Sequence, residues 1–460
     1  MSASPGAALT GSPFAIRGVI EGFYGRPWTH EQRLALIPFL ADRGMNAFVY
    51  GPKDDPLLRR DWRRPYDGEW LARLSELVGR CRAHGMRFTW CVSPGLSMRY
   101  WMPPTSMPSR PSSRAWRRWG SIPSACCSMT SRASSSTRTT GRHSPTSPRR
   151  TRTWSGRGAP SPDRPHLVVC PTVYRGTGTE DYLVRLAGGI DPRIDLFWTG
   201  RAVCSPVLDL ADAAAFTRAT LPAAVLGQLP GQRRGHDLRA AHRPVPWPRP
   251  AAVALGDGHR GQRHGAVRGV RIPFATIADY LRDPEGYDPE ASWQRAIRDV
   301  VGEADAEAFA LFADNVRSSP ICDDDAPAVG RALERLGVAL DQGEAATREA
   351  AQGLAMLADR LLAAATRLQG DGVTNRALMD ECRPWLAVFE RGARALARLA
   401  GLAAEGRLGT DGTAELRPYL IRLRRARARV FGDVVEMALS DLTGTMFRPG
   451  EVPVLEGGAP

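Results

Sequence analysis

Between residues 14 and 100 the sequence alternates short apolar stretches with longer amphipathic ones, and this alternation limits the possible folds more than any other feature. Strands are predicted at Arg17–Glu21, Ala47–Tyr50 and Arg87–Val92, and the segments between them have helical apolar spacing. A polar loop that contains glycine or proline follows each predicted strand. Strands that alternate with helices pair in parallel, so the pattern predicts an α/β fold of the barrel type with its chemistry at the strand exits.

Two helices are predicted between these strands. Thr29 followed three residues later by Gln32 is typical of a capping box, which predicts a helix start, and Gly44 predicts the end of that helix. Gly85 ends the second helix in the same way. The side chains predicted to face the core are Leu34, Ile37, Leu40 and Ala41 in the first helix, and Leu71, Leu74, Val78 and Cys81 in the second.

The same alternation resumes after residue 160, with predicted strands at Leu167–Cys170 and Ile194–Trp198. A (β/α)8 TIM-type barrel needs three further strands, the fourth, seventh and eighth, and these fall in two segments of abnormal composition. From Tyr287 to Leu442 the pattern changes to long amphipathic helices, such as Ala350–Leu368 and Pro384–Ala404. These helices predict an α-helical bundle domain after the barrel.

These patterns divide the chain into four predicted parts. They are a disordered N-terminus at 1–13, the barrel at 14–285, the helical bundle at 286–445 and a C-terminal tail at 446–460. Turns between bundle helices are predicted at Gly370–Gly372 and Gly406–Gly412. Within the barrel, residues 101–160 and 221–271 are predicted to be read out of frame, so that strands 4, 7 and 8 are corrupted.

The two abnormal segments carry all of the chain's excess positive charge. The first contains eleven Arg and no Lys, Asp or Glu, and the second contains nine Arg, no Lys and two Asp. They hold +11 and +7 of a net charge of +14, which leaves −4 for the remainder. The first also lacks Leu, Val, Phe, Tyr, Asn and Gln altogether, so no core can be built from it.

Shifted reading frames of both segments can encode ordinary barrel sequence when suitable codons are chosen. Codons for SIPSACCSMTSR can be chosen so that the frame starting at each third base reads DSFGLLLDDIPG, a buried strand that ends in paired acids. VLGQLPGQRRGHDLRAAHRPVPWPRP can likewise encode WDNYPVNDVAMTCELHIGPYRGRDP. The alternative is a disordered basic linker, which the composition also fits. A linker would not be expected to give a helix and a strand when it is read in a shifted frame. A frame shift is therefore the preferred interpretation.

The remaining composition argues against several function classes. The eight cysteines show no CxxC spacing and are predicted to be mostly buried thiols, and no metal or organic cofactor is expected. A basic nucleic-acid-binding protein is an alternative, but the segments lack interleaved aromatic residues. No stretch approaches the roughly 20 apolar residues of a membrane span, so the expectation is a cytoplasmic protein without nucleic-acid or membrane partners.

Five motifs resemble one family. In order and spacing they resemble glycoside hydrolase family 84, which contains O-GlcNAcases and bacterial hyaluronidase-type β-N-acetylglucosaminidases. Val173 is a departure, since family members usually carry an acidic residue there. The motifs are GVIEGFYGRPWTHEQR at Gly18–Arg33, YGPKDDP at Tyr50–Pro56, SPGL at Ser93–Leu96, CPTVYRG at Cys170–Gly176 and FWTG at Phe197–Gly200.

The resemblance implies a retaining β-N-acetylglucosaminidase whose substrate supplies its own nucleophile. It also implies that Gly22 presents its backbone to a sugar hydroxyl, Lys53 donates to sugar hydroxyls, and Tyr174 lies against the acetamido pocket. Each has a structural alternative: a tight turn for Gly22, an ion pair with Asp54 or Asp55 for Lys53, and a core ring for Tyr174. The implied substrate is a GlcNAc-containing glycoconjugate, either an O-GlcNAc protein or a glycan.

The acid pair that the family uses is missing from the chain as printed. It would fall at Ser128, Met129 and Thr130, none of which can act as a general acid near neutral pH. Asp54 and Asp55 are not replacements, because the family has that pair in addition to the catalytic one. The chain is therefore expected to be inactive, and the alternative is a non-catalytic protein that binds GlcNAc.

Overall fold

The computed structural model describes fourteen parts of the chain. They are residues 12, 14, 16–23, 27–93, 124–128, 166–192, 194–203, 205, 210–221, 223–228, 251–256, 268–284, 286–316 and 326–443. The predicted N-terminal segment 1–13 and the tail 446–460 lie almost entirely outside these residues, as does most of 101–160 and 221–271.

Eight parallel strands form a closed barrel in which each strand pairs with its neighbours along the chain and β1 pairs with β8. The strands predicted between residues 14 and 200 are confirmed to within one residue at each end. In sequence order the strands are β1 (Ile16–Glu21), β2 (Ala47–Tyr50), β3 (Arg87–Val92), β4 (Ser124–Ser128), β5 (His166–Cys170), β6 (Asp195–Trp198), β7 (Ala223–Gln228) and β8 (Ala251–Gly256).

Strands β4, β7 and β8 come from the two arginine-rich segments, and their backbones pair on both sides. The expectation that the printed chain loses these three strands is therefore wrong for the backbone. Ladder hydrogen bonds are made by main-chain N–H and C=O groups, so an extended segment can enter the sheet whatever its side chains are. The corruption of these strands concerns their side chains and stays a prediction.

The strand β1 approaches β2 so closely that only glycine fits at one position. Gly18 is paired with Ala47, and a Cβ atom at Gly18 would lie 2.1 Å from the carbonyl oxygen of Ala47. Such a contact is far inside van der Waals distance, so any side chain here would push the two strands apart. Ile20 of β1, Val49 of β2 and Cys91 of β3 form an apolar cluster with residues of β5 and β6.

The first helix of the barrel unit is α1 (His30–Asp42), and the capping box predicted for it is confirmed. The amide of Gln32 donates to Oγ1 of Thr29 over 3.2 Å, and the amide of Thr29 donates to Oε1 of Gln32 over 2.8 Å. The other helices of this unit are α2 (Gly68–Ala83), α3 (Asp181–Gly189) and α4 (Leu210–Ala219), and a short 3-10 turn lies at Pro56–Leu58.

The buried faces of α1 and α2 are rotated from the predicted ones. In α1 the buried residues are Arg33, Leu36, Ile37 and Leu40, whereas Leu34 and Ala41 are only half-buried. In α2 they are Leu74, Leu77 and Cys81. The shift in α1 has a physical cause, because the face turned to the strands is centred on Arg33, which binds a buried carboxylate.

Among the described residues after 287 the chain forms helices and no strands, as the predicted change to long amphipathic helices requires. These helices are α6 (Pro289–Val301), α7 (Glu303–Asp314), α8 (Pro327–Gln342), α9 (Glu344–Gln369), α10 (Arg376–Ala404), α11 (Thr410–Arg424) and α12 (Val434–Thr443), while α5 (Arg271–Arg282) precedes them. The helix predicted to begin at Pro384 begins eight residues earlier, because Asn375 caps it by accepting a hydrogen bond from the amide of Leu378. The predicted turn at Gly406–Gly412 ends at Gly409.

The chain folds into two compact units. Of the described residues, one unit contains those within 1–229, 242–265 and 277–287, and the other contains those within 266–276 and 288–460. Among the residues that the structure describes, no helix is both long enough and apolar enough to cross a membrane. The described cysteines Cys81, Cys91 and Cys382 are buried free thiols, and Cys170 is half-buried.

Candidate active site

All three residues predicted to contact substrate lie at one end of the barrel. Gly22 directly follows β1, Lys53 lies in the loop after β2, and Tyr174 lies in the loop after β5. Because the strands are parallel, their C-terminal ends share one rim, which is where barrels of this architecture carry their chemistry. Gly22 is buried, whereas Lys53 and Tyr174 are half-buried and keep part of their surface available.

A buried ion pair anchors the exit of β1. Nε and Nη2 of Arg33 donate to Oε2 and Oε1 of Glu21 over 2.7 and 2.8 Å, and the amide of Trp28 donates to Oε1 over 3.0 Å. Glu21 is fully buried. Burial raises the pKa of its carboxyl, and the hydrogen bonds from Arg33 oppose that rise. Burial also acts to lower the pKa of Arg33, but Glu21 carries it above its ordinary value, so the guanidinium stays charged.

This pair fixes the backbone on both sides of Gly22. Glu21 is the last residue of β1, and Trp28 lies beyond the loop that begins at Gly22, so one carboxylate holds both ends of the loop. The ring of Phe23 packs edge-on against Trp28 with 5.4 Å between centroids. Gly22 is therefore held by residues that are themselves buried, which is the arrangement expected for a preorganised binding position.

The loop after β2 is held by Asp55. Tyr50 and Tyr66 donate their hydroxyls to Oδ2 of Asp55 over 3.0 and 2.6 Å, and the amide of Leu57 donates to Oδ1 over 2.9 Å. Burial raises the pKa of both tyrosines, so their hydroxyls keep their protons and remain donors. Both oxygens of Asp55 are thus occupied in shaping the loop that carries Lys53 two residues earlier.

This geometry gives the acid pair at 54 and 55 a structural role. Asp55 is 4% exposed and its oxygens already accept three hydrogen bonds, while Asp54 is exposed. A carboxylate committed to two tyrosines and an amide is poorly placed to exchange a proton with a sugar oxygen. One predicted alternative for Lys53 is an ion pair with Asp55. The three hydrogen bonds that hold Asp55 come instead from Tyr50, Tyr66 and Leu57.

The loop after β5 is tied to the exit of β6. The amide of Thr199 donates to the carbonyl of Tyr174 over 2.9 Å, and the amide of Gly176 donates to the carbonyl of Gly200 over 2.8 Å. Nε1 of Trp198 donates to the carbonyl of Gly176 over 2.9 Å. Tyr174 is thus positioned through its own backbone. Val173, where the family usually has an acid, packs instead against the apolar cluster beside β5 and β6.

The position predicted for the missing acids lies at the end of β4. Ser128 is the last residue of that strand and pairs with Cys170 of β5, so it reaches the same rim as the three binding residues. Met129 and Thr130 lie outside the described residues, as does the predicted loop at Pro94–Leu96. A serine hydroxyl cannot protonate a leaving group near neutral pH without a strong base beside it.

Two parts of this arrangement were not predicted from the sequence. These are the Glu21–Arg33 ion pair and the Tyr50–Asp55–Tyr66 hydrogen bonds. A signal for the first was present, because Arg33 occupies an inward position of an amphipathic helix, where a charge requires a buried partner. The second joins residues on separate elements, and no local pattern indicates it.

Comparison with known proteins agrees with this geometry. The model of the β-N-acetylglucosaminidase family matches residues 17–112 and 149–226, which together include Gly22, Lys53 and Tyr174. The Protein O-GlcNAcase of Rattus norvegicus is 39% identical over 103 residues, which are 22% of this chain and 11% of the rat protein. The matched part thus spans about a ninth of the length of that curated relative.

Solved structures show the same fold over nearly the whole chain. A mutant of the Thermobaculum terrenum O-GlcNAc hydrolase superposes with a TM-score of 0.77 at 22% identity, covering 94% of this chain and 95% of that one. The protein CpGH84B superposes with a TM-score of 0.73 at 19% identity, covering 94% and 77%. The motifs, the rim residues and the family match over part of the chain together support the resemblance to glycoside hydrolase family 84, the family that contains the O-GlcNAcases.

Proposed function

We propose that the barrel is built to hydrolyse β-linked N-acetylglucosamine on O-GlcNAc proteins or related glycoconjugates, and that the chain as printed has lost this activity. The observation that carries the first part is that Gly22, Lys53 and Tyr174 all follow strand ends at one rim of the barrel, on loops held by hydrogen bonds. The family match that includes these residues supports it.

The proposed reaction proceeds with retention and uses the substrate's acetamido oxygen as the nucleophile. That oxygen attacks the anomeric carbon while the glycosidic C–O bond breaks, and the leaving oxygen takes a proton from one carboxylic acid. A second carboxylate orients the acetamido group as the oxazoline forms. Water then opens the oxazoline after losing a proton to the first carboxylate. Two adjacent acids suit this scheme because their pKa values separate.

In this proposal the three rim residues bind and orient the sugar. The Gly22 backbone contacts a hydroxyl, the Lys53 ammonium donates to hydroxyls, and Tyr174 borders the acetamido group. Closely fixed contacts of this kind convert binding into orientation of the reacting bond. Loss of any one of them is expected to weaken substrate binding more than it alters the chemical step itself.

Inactivity of the printed chain follows from the end of β4, where Ser128 stands at the predicted position of the acids. The break in the family match supports this proposal. It stops at residue 112 and resumes at 149, inside the first arginine-rich segment, and it ends at 226, shortly after the second segment begins. The proposed frame shifts at 101–160 and 221–271 would remove the acids and the sugar-contacting Asn and Asp of the hidden WDNYPVND reading together.

The test compares three proteins on 4-nitrophenyl N-acetyl-β-D-glucosaminide. They are the printed chain, a chain with both segments restored to the shifted frames, and the restored chain with its two adjacent acids changed to amides. Only the second is expected to release nitrophenol faster than buffer. Hydrolysis by the printed chain would refute its inactivity. A folded restored chain that fails to hydrolyse the glycoside would refute the proposed function.

A second candidate is a GlcNAc-binding protein without hydrolytic activity. The closed barrel with its three in-frame rim residues favours it, because binding needs these residues but not the acids. Calorimetric titration of the printed chain with N-acetylglucosamine distinguishes the two. Saturable binding that Tyr174→Ala weakens supports this candidate, whereas heat of dilution alone excludes it.

A further inference from the structure

A cavity of about 380 Å3 is lined by residues of α1, of α2 and of the loop after β2. Its volume falls within the range of roughly 300–1,000 Å3 that small-molecule sites occupy. The lining includes none of Gly22, Lys53 and Tyr174, although it shares Tyr50, Asp55 and Tyr66 with the hydrogen-bonded group that holds the loop after β2. All of its lining residues fall between Pro27 and Leu77, within one continuous described part of the chain.

Aromatic side chains form one wall of the cavity. Trp70 lies on α2 and is 46% exposed, although it is one of the largest apolar side chains in the molecule. The ring of Tyr66 packs beside it, with 6.5 Å between centroids and 59° between planes, and Trp28 contributes a buried ring. The indole face of Trp70 therefore offers a fixed apolar surface against which a flat apolar face of a ligand can pack.

The polar lining of the cavity contains both acidic and basic groups. It contains three carboxylates, those of Glu31, Asp54 and Asp55, and three basic groups, those of His30, Arg33 and Arg73. A ligand that carries a net charge of either sign would meet repulsion from one of these sets. A neutral ligand that both donates and accepts hydrogen bonds would find partners in each set.

Most of the charged groups are already fixed by partners outside the cavity. Nε2 of His30 lies 2.7 Å from Glu76, and the guanidinium of Arg73 lies 2.5 Å from Glu69. Asp54, by contrast, makes no ion pair with any other described residue. Its exposed carboxylate can accept hydrogen bonds from two neighbouring hydroxyl groups, which is the pattern that a sugar ring presents.

We propose that this cavity binds a neutral pyranose ring, with its apolar face against Trp70 and its hydroxyls toward Asp54. The C–H face of the ring would pack against the half-exposed indole of Trp70. The hydroxyl edge of the ring would face the exposed carboxylate of Asp54, which is not paired with any described residue. This site would hold a sugar residue beside the barrel rim, so it does not depend on whether the barrel cleaves its substrate.

The test titrates the full chain with methyl β-D-glucopyranoside, monitored by saturation-transfer difference NMR. This probe lacks the acetamido group that Tyr174 borders in the proposed rim site, and Tyr174→Ala is measured beside it to detect any binding of the probe at the rim. The sugar is expected to bind, and Trp70→Ala and Asp54→Asn are each expected to weaken binding about tenfold or more. Matched controls are Met356→Ala, an exposed apolar residue on α9, and Asp42→Asn, an exposed acid at the far end of α1. Both should bind as the wild type does.

Several outcomes would overturn the proposal. They are no detectable binding of the sugar, equal binding by Trp70→Ala and Asp54→Asn, or tighter binding of arginine amide or inorganic phosphate than of the sugar. Loss of binding in Tyr174→Ala with retention in Trp70→Ala would place the sugar at the rim instead. Because Trp70 and Asp54 are exposed, both variants should retain the wild-type circular dichroism spectrum, and they test the site independently of each other.

Discussion

Changing Glu21 to glutamine removes one charge from a fully buried ion pair while nearly preserving side-chain volume. In the wild type the carboxylate accepts two hydrogen bonds from Arg33 and one from the amide of Trp28. Glutamine can accept through only one oxygen, and its NH2 group faces donors. Arg33, only 9% exposed, is then left charged without a counterion.

The expected cost is about 3–5 kcal/mol, since removing one partner of a buried pair leaves an uncompensated charge. A typical domain is stable by only ~5–15 kcal/mol, so the variant should unfold at a much lower urea concentration. Arg33→Met should behave differently. Its unpaired Glu21 can take up a proton, and burial already raises the pKa of that carboxyl.

This difference gives a pH dependence with a defined sign. In Arg33→Met the folded-state pKa of Glu21 is raised, so the variant's stability is complete below the unfolded-state pKa of about 4.3 and falls as pH rises through the folded-state value. In Glu21→Gln the remaining guanidinium keeps its charge at every usable pH, so its cost should not change. The measurement is urea unfolding followed by circular dichroism from pH 5 to pH 8, for each single variant and the double variant.

A matched control is the exposed pair Arg73–Glu69 on α2, where both side chains are more than half exposed. Glu69→Gln should change stability by less than about 0.5 kcal/mol. The reasoning is refuted if Glu21→Gln costs no more than this control. It is also refuted if the effects of the two single variants at Glu21 and Arg33 simply add in the double variant, since a coupled pair should show an interaction of at least about 2 kcal/mol.

Three further predictions concern single positions. Burial raises the pKa of Glu436 to about 7, so the stability of the wild type should fall as the pH rises from about 4.5 to 7. In urea unfolding this loss should be roughly 3 kcal/mol at pH 8 compared with pH 5, and Glu436→Gln should abolish it. Gly18→Ala forces a Cβ against the carbonyl of Ala47 and should cost about 3 kcal/mol or more, seen as a lower melting temperature. Asp55→Asn replaces one acceptor oxygen by an NH2 group, so either the two tyrosine hydroxyls or the amide of Leu57 loses its acceptor, which should cost about 1–3 kcal/mol; a melting temperature equal to wild type would contradict it.

Much of the barrel could be predicted from the sequence because local patterns encode it. The strands Ala47–Tyr50 and Arg87–Val92 have the predicted bounds, since each is a short apolar run between helix-ending glycine and a polar exit loop. The start of α1 could be predicted from Thr29 and Gln32, because a capping box is a contact within four residues. Gly44 and Gly85 follow their helices with positive φ angles of 80° and 67°. Glycine adopts such angles readily, so these two glycines indicated the helix ends in the sequence.

Contacts between distant elements could not be predicted in this way. The apolar spacing of α1 identifies only apolar residues as inward-facing, so it omits the buried Arg33, whose partner Glu21 lies on another element. Proline usually opens a helix, so the sequence predicts that α10 starts at Pro384, but Asn375 caps it earlier. The strand backbones of β4, β7 and β8 follow from closure of the barrel as a whole and not from their own composition.

The pairing of β1 with β8 has a consequence for synthesis of the chain on the ribosome. The two strands begin at Ile16 and Ala251, so about 235 further residues are synthesised after β1 before its partner β8 leaves the ribosome. At roughly 5–20 residues per second this interval lasts about 10–50 s. During it the free edge of β1 is an open template for pairing with other nascent chains, so yield should depend on translation speed and on holding chaperones.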